Sequence, residues 1–284
     1  MNADQACDLC GRTSWTRLHE VDGYPIVRCQ SCGLVTVGHS STLEQLIRLY
    51  GASYWQDPDE VGYNDYLAAQ ERKRHHFRGL VVELGKLVAP GDLIEIGSAY
   101  GFFLDEARMG GWRVQGVEPA EHAAQHARQQ LELDVLAGPF ADLPVQSGSV
   151  DAVVLWDVIE HLPNPRLTLQ RAFEWLRPGG VVALSTGDIS SLVARIHGRD
   201  WSLLTPPWHQ FFFSRKTMRH LLETIGFSVE RIGGDGNVAV DRTSRRPRVP
   251  GPLAAILQSK PVSTCARKLG RGGVMFAFAR KTLL

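Results

Sequence analysis

From Gly91 onward the chain alternates short apolar runs with amphipathic segments, and this alternation constrains the fold more than any other feature. Strand-length runs at 92–97, 112–118, 133–136, 150–157, 180–186, 227–232 and 273–281 are separated by helix-like stretches near 101–110, 120–131, 164–177 and 215–225. Strands apolar on both faces belong in the middle of a sheet, and the helices between them must pack back onto it. An α/β fold is therefore predicted, with a mostly parallel sheet covered by helices on both faces. The turn "RPGG" at 177–180 ends the third helix and feeds the strand Val181-Val182-Ala183-Leu184. With 44% hydrophobic residues in 284, the chain can bury one large core and a smaller module.

That smaller module is marked by cysteine. Cys7, Cys10, Cys29 and Cys32 form two C-x-x-C pairs with residues 11–28 between them. This spacing fits a zinc pattern, in which each knuckle offers two thiolates to a tetrahedral ion. Gly11 and Gly33 follow the second cysteine of each pair, where a knuckle backbone needs positive φ. Disulfides are the competing reading, and the paired spacing in a reducing compartment favours Zn2+. Four thiolates close the coordination sphere, so the ion is expected to be structural. Residues 1–38 are predicted to form a zinc ribbon with short strands at 24–28 and 34–37. Cys265 reads as a packed small side chain.

Residues 39–88 read as a helical lid or linker, whose aromatic segment Tyr50–Pro58 suits either a packed connector or a lid. Within it the basic stretch "ERKRHHFR", with His75 and His76, reads as a solvated face. The balance of 31 Lys and Arg against 30 Asp and Glu gives a net charge of +1, which argues against nucleic acid or an anionic membrane as partner. No run reaches membrane-spanning length, and the first residues lack a signal peptide's basic start and apolar core. A cytoplasmic location is the expectation; nothing in the sequence addresses oligomeric state.

In open α/β sheets a ligand binds outside the carboxyl ends of the strands. The stretch "LIEIGSAYGFF" at 93–103 runs from a strand through a glycine turn into a helix at that edge. Gly97 and Gly101 allow close backbone approach, and the helix start offers free N–H groups. Glu118, about twenty residues further on at the end of the next strand, can accept hydrogen bonds from two ribose hydroxyls. The dinucleotide fingerprint G-x-G-x-x-G is absent, so a nucleoside lacking a pyrophosphate fits better than a nicotinamide cofactor.

The segments "LIEIGSAYGFFL", "VQGVEP", "ADLPVQSGSVDAVVLWDVIEHL" and "LRPGGVVALST" resemble the successive motifs of class I S-adenosylmethionine-dependent methyltransferases over about residues 90–230. The resemblance implies a Rossmann-like, seven-stranded, mostly parallel sheet, here over 89–284. Carried over residue by residue, it matches Glu95, Gly97 and Gly101 to the first motif, with Ala99 replacing the middle glycine. It implies that Glu118 holds the adenosine ribose and that Phe140 packs on adenine. Asp142 is a weaker substitute for the acidic residue at the adenine amine, and Asp157 completes the implied cofactor set. The ribbon and "PWHQFFFSRKTMRHLLETIGF" are similar to a bacterial subgroup that modifies sugars, glycans and secondary metabolites. A small-molecule or sugar-nucleotide acceptor is implied.

Methyl transfer to an alcohol needs a base beside the donor. His161, at the carboxyl edge in "WDVIEH", is the first candidate, with Glu160 to orient it. The plainer reading is that this pair pins the following loop. His209 is the rival base, carried by the aromatic stretch 187–213, which suits a substrate wall and core packing equally. Two other readings stay open: a ribosomal-RNA base methyltransferase whose ribbon clamps RNA with "ERKRHHFR" and "RTSRRPR", and a non-catalytic binding module that keeps the fold.

Overall fold

A computed structural model describes residues 6–38, 42, 44–46, 66–234 and 273–282. The ribbon supplies β1 (Trp15–Val21), β2 (Tyr24–Cys29) and β3 (Val35–Val37). After α1 (Gln70–Gly85) come β4 (Asp92–Ile96), α2 (Phe102–Met109), β5 (Arg113–Glu118), α3 (Glu121–Gln130) and β6 (Val135–Ala137). The second half contains β7 (Val150–Trp156), α4 (Pro165–Trp175), β8 (Leu176–Gly187) and the short α5 (Leu192–His197). It closes with β9 (Phe211–Phe212), α6 (Arg215–Ile225), β10 (Phe227–Gly234) and β11 (Val274–Lys281). The segments Tyr50–Pro58 and 241–250 and the lone Cys265 lie outside the described residues. Among the described residues no helix is long and apolar enough to cross a membrane.

The main sheet has seven strands in the order β10-β11-β8-β7-β4-β5-β6, and β11 runs antiparallel to both neighbours. The other pairs are parallel. Strand alternation divides the core. Ala152, Val154 and Trp156 face α1, α2 and α3 through Phe77, Leu84, Phe103 and Ala127, while Val153 and Leu155 face α4 and α6 through Leu169, Trp175 and Leu222. The predicted double covering is observed. The order reverses between β4 and β7, so the edge where a ligand is expected lies at the ends of those two strands.

"RPGG" behaves differently from the expected turn. Leu176 already pairs with Val150, and Val181 pairs with Ala152, so residues 177–180 bulge out of a strand that has begun. Arg280 donates from Nη1 to the Gly179 carbonyl at 2.8 Å, which gives the looped-out backbone a partner.

The 187–213 stretch joins the ribbon to the main domain. Its β9 adds to the ribbon sheet, giving the order β1-β2-β3-β9, with Val35 opposite Phe212 and Thr36 opposite Phe211. Alternation then divides the three phenylalanines. Phe212 packs with Ile26, Val35, Val37, Trp201 and Leu204 in the ribbon's own core. Phe211 and Phe213 face the other way, into the main core beside Cys7, Leu9, Cys29 and Leu34. Core packing, not a substrate wall, is what these aromatics do. Arg166 at the start of α4 ties down the first knuckle, its Nε donating to the Asp8 carbonyl at 2.8 Å and its Nη2 to the Leu9 carbonyl.

The stretch "ERKRHHFR" on α1 is only partly a solvated face. Arg74 turns inward, and its Nη1 donates to Asp105 at 2.7 Å and Glu106 at 2.9 Å on α2. Its charge is thereby committed within the domain.

Candidate active site and metal centre

A cavity opens at the carboxyl ends of β4, β5 and β7. Of the residues singled out from sequence, Glu95, Gly97, Ala99, Glu118, Phe140, Asp157 and His161 line it. Gly101, Glu160 and His209 do not. Leu46, Tyr66, Phe77, Ser98 and Trp156 also line it and were not anticipated. Phe77 was legible in principle, because Phe77, Leu80 and Leu84 place one apolar stripe on α1.

The turn after β4 is built around Glu118. The Glu118 carboxylate accepts from the Ala99 N–H and from the Ala120 N–H, each at 2.8 Å. Those bonds hold Ala99 at a φ of +48°, a left-handed conformation that costs a residue with a Cβ roughly 1–2 kcal/mol. Ala99 therefore takes the backbone shape of a glycine and is held there. Gly97, with φ +75°, leaves no room for a side chain, since a Cβ would come within 2.5 Å of Val158. Gly101 is needed for another reason than ligand approach: with φ +83° it starts α2, and a Cβ there would meet Leu133 at 2.7 Å and Ala127 at 2.9 Å. It lets the helix close on α3 and on the connection that leads to β6.

Two buried carboxyls sit side by side at the floor. Burial raises Glu118 to about 7, held back by its bonds from Ala120 and Ala99. Burial and then the neighbouring Glu118 push Glu95 well above the usual carboxylate range. Glu95 Oε2, Ser98 Oγ and Trp156 Nε1 are buried without a hydrogen-bond partner. Three orphaned polar atoms around one cavity are what a polar ligand would satisfy. Phe140, half-buried in a 3-10 turn at Phe140–Asp142, borders the same space, while Asp142 is exposed and does not line it.

The mouth is framed by Asp157, whose φ is +54°. Its N–H donates to Ser185 Oγ at 2.9 Å, and that hydroxyl donates back to Asp157 Oδ1 at 2.7 Å. A 3-10 turn at Ile159–His161 follows. His161 Nδ1 lies 3.0 Å from the Trp208 carbonyl, and His209 Nδ1 lies 2.7 Å from the Leu203 carbonyl. A carbonyl only accepts, so both Nδ1 atoms carry the proton and each Nε2 keeps its lone pair. The two rings meet edge to face, centroids 4.5 Å apart. Burial, followed by the charge of His209, holds His161 down to about 3; burial holds His209 down to about 4. Both are neutral imidazoles near neutral pH. The Gln210 N–H donates to the Glu160 carbonyl at 2.8 Å, locking the 208–210 strip to the turn. Burial, then the charge of Asp157, raises Glu160 to about 8.

The four ribbon cysteines converge as expected from their spacing. Cys7 and Cys32 sulfurs are 3.5 Å apart, Cys10 and Cys29 sulfurs 3.6 Å, and all four lie within 4.8 Å of one another. A tetrahedral ion about 2.3 Å from each sulfur would space them roughly 3.8 Å apart, so the set fits zinc. The knuckles are equivalent: the Gly11 N–H donates to the Cys7 carbonyl at 2.7 Å and the Gly33 N–H to the Cys29 carbonyl at 3.0 Å. Both glycines have positive φ.

A family profile described as a methyltransferase domain matches residues 68–232. A probable S-adenosylmethionine-dependent methyltransferase of Mycolicibacterium smegmatis is 35% identical over 140 residues, covering 49% of this chain and 52% of that protein. A ubiquinone biosynthesis O-methyltransferase of Xanthomonas oryzae is 27% identical over 154 residues, covering 52% and 61%. The chain thus spans about half the length of the curated relatives it matches. Among solved structures, an S-adenosylmethionine-dependent methyltransferase from Archaeoglobus fulgidus aligns with a TM-score of 0.56 at 16% identity, covering 77% of this chain and all of the other. That likeness concerns the fold.

Proposed function

This chain belongs to the methyltransferase-domain family, and from that membership we propose that it transfers a methyl group from S-adenosylmethionine to a hydroxyl of a small sugar-containing or natural-product acceptor. The observation that carries the reading is the Glu118 carboxylate, which fixes the left-handed Ala99 at the floor of a cavity that ends at His161. S-adenosylmethionine supplies an electrophilic methyl: the new O–CH3 bond forms as the CH3–S bond breaks, and the electron pair returns to sulfur.

The residues present fit that cofactor. Each Glu118 oxygen accepts one backbone N–H and has lone-pair capacity left for a ribose hydroxyl. Phe140 offers a face to the adenine, and Gly97 keeps backbone close to the ligand. Ser98 Oγ and Glu95 Oε2 lack partners within the protein, which suits the amino and hydroxyl groups of the cofactor. Trp156, Phe103 and Phe77 exclude water from the same space.

His161 is the group proposed to receive the acceptor's proton, through Nε2. Its basicity is low, yet a hydroxyl being methylated becomes far more acidic than an imidazolium, so transfer in step with attack remains downhill. Glu160 and His209 hold it in place. Oxygen as the acceptor atom is supported by the likeness to the ubiquinone O-methyltransferase. The ribbon is proposed to carry a structural Zn2+ on Cys7, Cys10, Cys29 and Cys32.

Titration calorimetry with S-adenosylhomocysteine tests the cofactor. Binding is expected in the wild type, and Glu118→Ala should weaken it roughly 10- to 100-fold, the worth of hydrogen bonds to a charged group. A wild type that shows no heat removes the reading. For the acceptor, mass spectrometry after incubation with S-adenosylmethionine and a panel of sugar nucleotides should find a product heavier by one methylene; His161→Ala should abolish it and leave cofactor affinity unchanged.

A further inference from the structure

We propose that Glu160, His161 and His209 form a second metal centre, which holds a divalent first-row cation at the acceptor end of the cavity. One ligand atom from each lies within 4.8 Å of the other two. An ion about 2.0–2.2 Å from a carboxylate oxygen and two imidazole nitrogens draws such atoms to about 3–3.5 Å, a closure within reach of small side-chain rotations.

Three features point to an ion and not merely to a packed cluster. Both Nδ1 atoms donate to backbone carbonyls, of Trp208 at 3.0 Å and Leu203 at 2.7 Å, which fixes the orientation of the two rings. Donation of the outer ring N–H to a carbonyl is how metal-bound histidines are oriented in general. Glu160 is 4% exposed, and its Oε2 is buried with no hydrogen-bond partner, although Thr186 bonds the same carboxylate. A buried carboxylate oxygen with nothing to accept is costly, and a cation is the partner that relieves it most. Finally, the strip that brings His209 is pinned to the turn by the Gln210 N–H to Glu160 carbonyl bond, so residues far apart in sequence are held as one unit.

Two imidazoles and one carboxylate leave coordination positions open, unlike the four cysteines of the ribbon. The centre borders the cavity through His161, with the Asp157 carboxylate at its rim. An ion there would receive the acceptor's hydroxyl and lower its pKa as a Lewis acid, so that the proton passes to water at the mouth before attack. The inference rests on the cavity being the methyl-transfer site and changes how the proton leaves: with the ion bound, His161 serves as ligand, not as free base. A pair of vicinal hydroxyls, as on a sugar or catechol, would chelate such an ion and be favoured over a monohydric alcohol.

The zinc-loaded protein is dialysed to equilibrium against Mn2+, and separately against excess Zn2+, and its metal content is measured. The expected result is one ion per chain beyond the ribbon zinc. His209→Ala and Glu160→Gln should each lose that second ion, or bind it at least tenfold more weakly, while S-adenosylhomocysteine binding and circular dichroism stay as in the wild type. Should one variant fail to fold, the other and His161→Gln carry the test. A wild type with no second ion under either metal, or a second ion indifferent to all three substitutions, overturns the proposal. Turnover that survives a chelator with cofactor binding intact also overturns it, while leaving the methyl-transfer reading in place. Absent cofactor binding would instead fail that reading, and metal content still decides this one.

Discussion

At the scale of single residues, Ala99 and Glu118 work as a pair. A sequence comparison would mark Ala99 as a defect in a glycine motif, whereas its φ of +48° and its N–H bond to Glu118 show the turn adopting a glycine's conformation at a cost met by one carboxylate. That carboxylate has a measurable signature. Its folded pKa of about 7 stands above a glutamate's ordinary 4.5, so between those values the folded protein keeps a proton the unfolded chain has released. Folding stability from this group is therefore highest below the unfolded pKa and falls as pH rises toward 7, by at most about 3 kcal/mol. Glu118→Gln cannot ionise and should not show this loss. Urea denaturation of both proteins at pH 5 and pH 8, without cofactor, should find the wild type losing stability relative to Glu118→Gln across that interval; parallel pH profiles would contradict the assignment.

At the scale of elements, periodicity located almost every strand and helix of the main domain to within two residues, because each buries a face dictated by its own sequence. The short β6 came out as Val135–Ala137 where 133–136 was expected, and β8 begins at Leu176, ahead of its glycines. The 187–213 stretch was the hard case. "FFF" has no period, and only pairing with β3 decides that Phe212 faces the ribbon while Phe211 and Phe213 face the main core. Phe212→Ala should cost the ribbon about 3–5 kcal/mol, as large-to-small changes of buried phenylalanine do. Hydrogen exchange should speed up at Val35 and Phe212, and turnover should fall, since His209 lies three residues before the substituted position. Cofactor affinity should hold; an equal loss of affinity and turnover would show that β9 supports the cofactor pocket instead.

At the scale of the molecule, the ribbon and the α/β domain share one core. Cys7, Leu9, Cys29 and Leu34 pack with α4 and α6, and Arg166 clasps the first knuckle by its carbonyls. Removing the Zn2+ proposed for the ribbon should therefore lower the melting temperature of the whole protein, not only unfold a small appendage. Arg166→Met should lose about 1.5–3 kcal/mol of that coupling and release zinc faster to a colorimetric chelator. A melting temperature indifferent to zinc would mean that the two parts are energetically separate. The same coupling gives the ribbon a second consequence, because β9 and the 208–210 strip are continuous: what holds the ribbon also holds His209 against His161.

The sequence by itself determined what depends on local spacing: two knuckles that bring four sulfurs together, a doubly covered parallel sheet, a glycine turn at its carboxyl edge and an acidic residue after the next strand. Each is encoded within a few residues or one repeat of a periodic pattern, so it survives without knowledge of the fold. Tertiary structure decided what depends on distant segments meeting. Gly101 proved to be a packing glycine because Leu133 and Ala127 arrive beside it. Glu118 came to hold the backbone of Ala99, 19 residues away, as well as to face the cavity. His161 met the Trp208 carbonyl across 47 residues, and His209 with it, turning two rival candidates into one cluster with Glu160. No periodicity records such meetings, because they are fixed by strand order and by which face of β9 the ribbon buries.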